Sequence, residues 1–76
     1  MIEGRLGYNP ANERYGLLQG DLWVNDGFRC GEQLEVLVDG EWVQTRMEMA
    51  WEEDGNKWYL NGTPFKGDLE HVRARV

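Results

Sequence analysis

Leu34, Val36 and Val38 alternate with polar residues up to Asp39-Gly40, and Val43, Thr45, Met47 and Met49 resume the alternation beyond it. Asp-Gly accepts the positive φ of a two-residue type I′ turn, whose twist matches that of the strands it joins. The pair therefore predicts one register: Val38 opposite Glu41, Val36 opposite Val43, Leu34 opposite Thr45, and Leu37 opposite Trp42 on the reverse face. A slip of one residue would move every apolar side chain to the wrong side. Glu52-Glu53-Asp54-Gly55, read as a four-residue loop, continues the meander with Met49 opposite Trp58 and Met47 opposite Leu60. Met47 and Met49 are then expected inside, with Arg46 and Glu48 outside. The reverse face carries Leu37, Trp42, Arg46, Glu48 and Tyr59, with Glu48 opposite Tyr59 and Gln33 opposite Arg46.

The flanking segments read as short strands between turns. Arg5 to Tyr8 runs into Asn9-Pro10-Ala11-Asn12 and returns as Arg14 to Leu18. Leu22-Trp23-Val24 follows Gln19-Gly20-Asp21, and Asn25-Asp26-Gly27 turns the chain again. Phe28-Arg29-Cys30 fits a short strand or an ordered loop, and Gly31 permits a bend or bulge before the central hairpin. Ile2-Glu3-Gly4-Arg5 matches an engineered protease site in wording, yet suits the approach to a first strand and is read as native. After Asn61-Gly62-Thr63-Pro64, Gly67-Asp68-Leu69-Glu70 reads as a single helical turn. Val72, Ala74 and Val76 then alternate with His71, Arg73 and Arg75. The expectation is one all-β domain over residues 1–76: a small SH3-like antiparallel barrel of five to six short strands, with one helical turn before the last. Such a topology brings Arg5 close to Arg73 and Arg75 on one edge. The rival is an open, curled meander with the N-terminal hairpin packed across it.

A chain of 76 residues supports one small core, to which four Trp, three Tyr and two Phe bring large buried area. A net charge of -6, with Lys57 and Lys66 the only lysines, argues against nucleic-acid binding and attachment to anionic membranes. Cys30 stands alone, which excludes an internal disulfide and fits a cytoplasmic protein. No signal peptide or membrane span is evident.

Residues for catalysis are scarce. Serine is absent; Thr45 falls on the core face and Thr63 precedes a proline, so neither suits a nucleophile. Cys30 and His71 are the one conceivable Cys-His pair, but a lone cysteine beside Phe28 suits a small buried hydrophobe, expected inert. One Cys and one His cannot make the usual zinc site, and Glu52-Glu53-Asp54 lacks the spacing of a calcium loop and reads as a solvated turn. No glycine-rich phosphate loop is present. The reading is non-enzymatic and without a cofactor. Two surface groups remain. Trp42, Leu37 and Tyr59, with Arg46, would anchor a protein interface if exposed, or belong to the core if the N-terminal hairpin covers them. Arg46, His71, Arg73 and Arg75 form a stripe that could meet phosphates or an acidic partner, or pair with Glu35 and Glu48.

Cys30-Gly31, Leu34-Glu35-Val36-Leu37, Gly40-Glu41-Trp42-Val43, Thr45-Arg46-Met47-Glu48, Trp58-Tyr59-Leu60 and Val72-Arg73-Ala74-Arg75-Val76 together resemble a small domain-of-unknown-function family. That family occurs in Gram-positive bacteria and in their phages and conjugative elements. The resemblance covers residues 28–76, with an echo in Arg14-Tyr15-Gly16-Leu17. It implies a cytoplasmic accessory protein of mobile-element origin and carries over no catalytic residue. The expected role is a protein-interaction module, monomeric or weakly dimeric; the alternatives are an acidic nucleic-acid decoy for a host DNA-binding protein, or direct nucleic-acid binding through the basic stripe.

Overall fold

The computed structural model describes all residues, 1–76. Seven antiparallel strands form one sheet: β1 (Glu3–Asn9), β2 (Arg14–Gln19), β3 (Leu22–Asn25), β4 (Gln33–Val38), β5 (Glu41–Ala50), β6 (Lys57–Leu60) and β7 (Arg73–Arg75). Their order is β3-β2-β1-β7-β4-β5-β6. The central hairpin has the register that Asp39-Gly40 dictates, including Leu37 opposite Trp42 and Gln33 opposite Arg46. Asp39 at φ 49° and Gly40 at φ 83° supply the two left-handed positions of the turn. Met47 faces Leu60, Glu48 faces Tyr59 and Met49 faces Trp58, as the second loop predicts. Pairing stops at Ala50 and Lys57, so Trp51 and Asn56 join the loop.

β1 lies beside β7, with Arg5 opposite Arg73 and Glu3 opposite Arg75. Ile2 and Val76 extend this ladder by exchanging backbone hydrogen bonds of 2.6 and 2.9 Å, so Ile2 to Arg5 is part of the sheet. Three expectations are corrected. The sheet does not close into a barrel, because β3 and β6 stand at opposite edges; hence Arg5, Arg73 and Arg75 lie in its middle. Cys30, expected as a small buried hydrophobe, is exposed: of the two readings of Phe28 to Cys30 the loop holds, and Phe28 is its buried residue. No helical turn precedes β7: Leu69 to Val72 is a reverse turn closed by Val72 N–H donating to Leu69 O, with His71 at φ 68°.

That turn has a twin. Arg29 to Glu32 is closed by Glu32 N–H on Arg29 O, and its third residue, Gly31, sits at φ 89°. In each case the positive-φ residue and the next oppose a single residue on the neighbouring strand. Gly31 N–H donates to Met47 O while Met47 N–H donates to Glu32 O; His71 N–H donates to Leu6 O while Leu6 N–H donates to Val72 O. Both are β-bulges of the type that normally places glycine first. Gly31 enters at no steric cost, whereas His71 adopts a conformation that disfavours a Cβ.

One face of the curled sheet is the core: Leu6, Leu17, Leu34, Val36, Met47, Leu60 and Ala74 from the strands, closed by Phe28, Leu69 and Val72 from the loops. Thr45 is buried with its hydroxyl donating to Asn61 O at 2.6 Å. Met49 is only half-buried, because it lies where the sheet opens, and Glu48 is half-buried beside Arg46. On the outer face of the N-terminal strands the Trp23 ring lies over Gly7 and Gly16, and a Cβ on Gly16 would meet it at 2.9 Å. The chain has no helix long and apolar enough to cross a membrane.

Met47→Ala should cost about 2 to 5 kcal/mol in denaturant unfolding, against less than about 1 kcal/mol for Glu48→Ala. The bulges give a second comparison. Gly31→Ala should lower stability by about 1 to 2 kcal/mol, whereas His71→Gly should leave it unchanged or raise it by up to about 1 kcal/mol.

Candidate functional site

Where the sheet fails to close, the core face opens to solvent as a cleft of about 370 Å³. Tyr8 at the end of β1, Tyr15 from β2, Met49 from β5 and Lys57 and Trp58 from β6 line it, with Glu13, Asn56 and Gly67. Tyr8 and Tyr15 are directly opposite in the β1-β2 ladder, which places both side chains on one face. Their rings meet edge to face with centroids 5.3 Å apart, a favourable arrangement of the ring quadrupoles. Tyr15 is buried, whereas Tyr8 retains 40 % exposure. The same ladder thus supplies a core residue and an accessible aromatic beside it.

The polar ends of Trp58 and Tyr15 are anchored to the walls, and Tyr8 is held through its backbone. Trp58 Nε1–H donates to Glu13 O at 3.1 Å, tying β6 to the β1-β2 turn across the cleft. The Tyr15 hydroxyl donates to Gly67 O at 3.4 Å, and Glu70 Oε1 accepts from Tyr8 N–H at 2.6 Å. Burial raises the Tyr15 pKa above the ordinary tyrosine value, and the nearby charges of Asp68 and Glu70 add to the effect.

At the β6 side an ion-pair cluster holds the rim. Glu52 accepts from Lys57 at 3.1 Å and from Lys66 at 2.7 Å, while Asp54 accepts from Lys57 at 3.1 Å. The acidic run is therefore a lysine-bearing turn. It clasps the segment around Lys66 against β6, where Leu60 N–H on Phe65 O and Gly67 N–H on Trp58 O cover the free edge. The hydrogen bonds from Lys66 and Lys57 hold Glu52 below the usual carboxylate range, and those to Glu52 and Asp54 raise Lys57. No group of three or more His, Cys, Asp and Glu side chains could hold a metal ion.

The residues singled out in the sequence lie on the opposite face. Leu37 and Trp42 are cross-strand partners, both half-buried. The cover over Trp42 is Arg75, whose guanidinium carbon sits 4.2 Å from the ring centroid and whose Nη2 meets Glu35 at 2.7 Å. Tyr59 faces Glu48, six positions along β5 from Trp42, roughly 20 Å away at strand spacing, so the three apolar residues do not form one patch. The basic stripe is dispersed and occupied: Arg46 holds Glu48 at 2.7 Å and Arg73 holds Glu3 at 3.0 Å. His71 leaves the alternation of Arg73 and Arg75 at its bulge. Sequence reasoning missed the cleft because its aromatics come from two distant segments, the β1-β2 hairpin and β6. The inward parity of Trp58 was the one available signal.

A family model described as a domain of unknown function (DUF5348) matches residues 4–76. No curated protein and no solved structure matches the chain.

The ion cluster sets a pH window. Glu52 contributes stability above its ordinary pKa of about 4.3 and loses it as pH falls through the lowered folded value; Lys57 contributes below about 10.4 and loses it as pH rises through its raised value. Urea unfolding should therefore show a gap between wild type and Glu52→Gln that is flat between about pH 5 and pH 10 and narrows on the acid side. Added salt should shrink the gap, since these groups are accessible to solvent.

Proposed function

We propose that this chain, which belongs to the DUF5348 family and so inherits no assigned activity, works as a non-enzymatic protein-interaction module. The observation that carries the reading is the cleft, where Tyr8, Trp58 and Met49 stand around an opening that the Trp58 indole spans by its hydrogen bond to Glu13 O. Partly exposed aromatics held at low conformational freedom are what protein interfaces use as anchors. The outer-face residues Trp42, Leu37, Tyr59 and Arg46 rank second, because Arg75 already covers Trp42 and Glu48 already engages Arg46. We read the fold as an opened relative of the SH3-like barrels; the adjacency of β1 and β7 and the long β5 shared by two neighbours support this. Fold likeness assigns no ligand.

The lone cysteine and the resemblance to proteins of Gram-positive bacteria and their mobile elements support a cytoplasmic accessory role. The partner is read as a protein. Direct contact with nucleic acid is disfavoured because Arg46, Arg73 and Arg75 each hold a carboxylate, leaving little positive charge to displace counterions. Such contact, or a decoy role toward a DNA-binding protein, would rest on charge alone.

Capture of partners from a host lysate by wild type, Tyr8→Ala and Trp42→Ala, with identification of what is retained, tests this reading. Tyr8→Ala should weaken a specific partner by about 1 to 2 kcal/mol while the fold persists, and Trp42→Ala should bind as wild type. A DNA and RNA titration at two salt concentrations should show at most weak, readily screened association. Submicromolar nucleic-acid binding abolished by Arg73→Ala with Arg75→Ala would overturn the proposal.

A further inference from the structure

We infer that the cleft binds a cation, taking an arginine side chain presented by a partner protein, an inference that rests on the docking role proposed above. Two features of the cleft meet. Its walls include the accessible ring of Tyr8 and the half-buried ring of Trp58, with buried Tyr15 behind Tyr8, and aromatic faces attract cations. Its surroundings are acidic: Glu13 lines it, Glu70 is bonded to the Tyr8 amide, and Asp68 and Glu70 act on Tyr15. The one cation in the wall, Lys57, is already shared by Glu52 and Asp54, and Lys66 is held by Glu52. Glu13, Asp68 and Glu70 are in no ion pair, although Glu70 accepts from the Tyr8 amide and Asp68 from the Glu70 amide.

The outer face shows the same combination already filled. There Arg75 lies over Trp42 and is braced by Glu35. The cleft has the indole, two phenol rings and the Glu13 carboxylate, with Asp68 and Glu70 beside Tyr15, but no guanidinium of this chain among its lining residues. A volume of about 370 Å³ lies near the lower end of ligand-site sizes, suited to a side chain or two rather than a large ligand. Arginine fits better than lysine because its planar, weakly hydrated guanidinium stacks on rings while its N–H groups reach carboxylates.

Amide and indole NMR spectra of the whole chain, titrated with an acetylated Gly-Arg-Gly-Arg-Gly amide and with its citrulline counterpart, test the assignment. The arginine peptide should shift the Trp58 indole and the Tyr8 and Tyr15 amides saturably, with the neutral citrulline peptide at least about tenfold weaker. Tyr8→Phe, which keeps the ring face, should bind within about twofold of wild type, whereas Tyr8→Leu should weaken binding about fivefold or more. Equal affinity for the two peptides, absence of a saturable shift, or equal binding by Tyr8→Phe and Tyr8→Leu would each overturn the cation assignment. A protein partner captured through Tyr8 would still stand in those cases, so the two readings fail separately.

Discussion

The fold turns on Met47. Upstream of it, residues 41 to 46 of β5 pair with β4; from Met47 to Ala50 the same strand pairs with β6. At the changeover the Met47 backbone is engaged by the Gly31-Glu32 bulge while its side chain is fully buried. A bulge increases local twist and bends its strand. The change of partner along β5 places Leu60 of β6 in one core with Leu34 and Val36 of β4, and Phe28, Leu69 and Val72 close it from the loops, so a single sheet encloses apolar residues without a second layer.

How much of this was legible depended on whether the signal was local. Asp39-Gly40 determines its register through two backbone dihedrals, and the pairing of Met47 with Leu60 follows by simple alternation. Gly31 marked its bulge because only glycine enters that conformation freely. The equivalent bulge at His71 carries no such mark, and Gly67 to Glu70 instead resembled a helical turn. There the tertiary hydrogen bonds of Leu6 to His71 and Val72 override local preference. Cys30 failed for a related reason: neighbouring Phe28 fills the core from that loop, and the turn carries the thiol outward. Barrel closure depends on whether β3 reaches β6, which no alternation pattern encodes.

Charge adds specificity here more than stability. Of the 8 lysines and arginines, Arg46, Lys57, Lys66, Arg73 and Arg75 are held in carboxylate pairs, and exposed pairs contribute little to folding individually. Their larger effect is to remove positive charge from the surface. With 14 carboxylates on the chain and a net charge of -6, the residual field is negative, which repels polyanions and attracts cations.

The cleft is a consequence of incomplete closure. Had β3 paired with β6, Tyr8, Met49 and Trp58 would have been covered as an ordinary core layer, and their burial would have added to stability at about 25 cal/mol per Å². The open sheet forgoes that gain yet does not leave the site loose. Trp58 donates to Glu13 O, Tyr15 to Gly67 O, and the Tyr8 amide to Glu70, three ties drawn from residues far apart in the chain. On the docking role proposed above, a partner would meet walls already bound to one another, so less conformational freedom would be lost on association. The same three bonds serve the fold, since they join β6, the β1-β2 turn and the segment before β7 where no strand pairing does so.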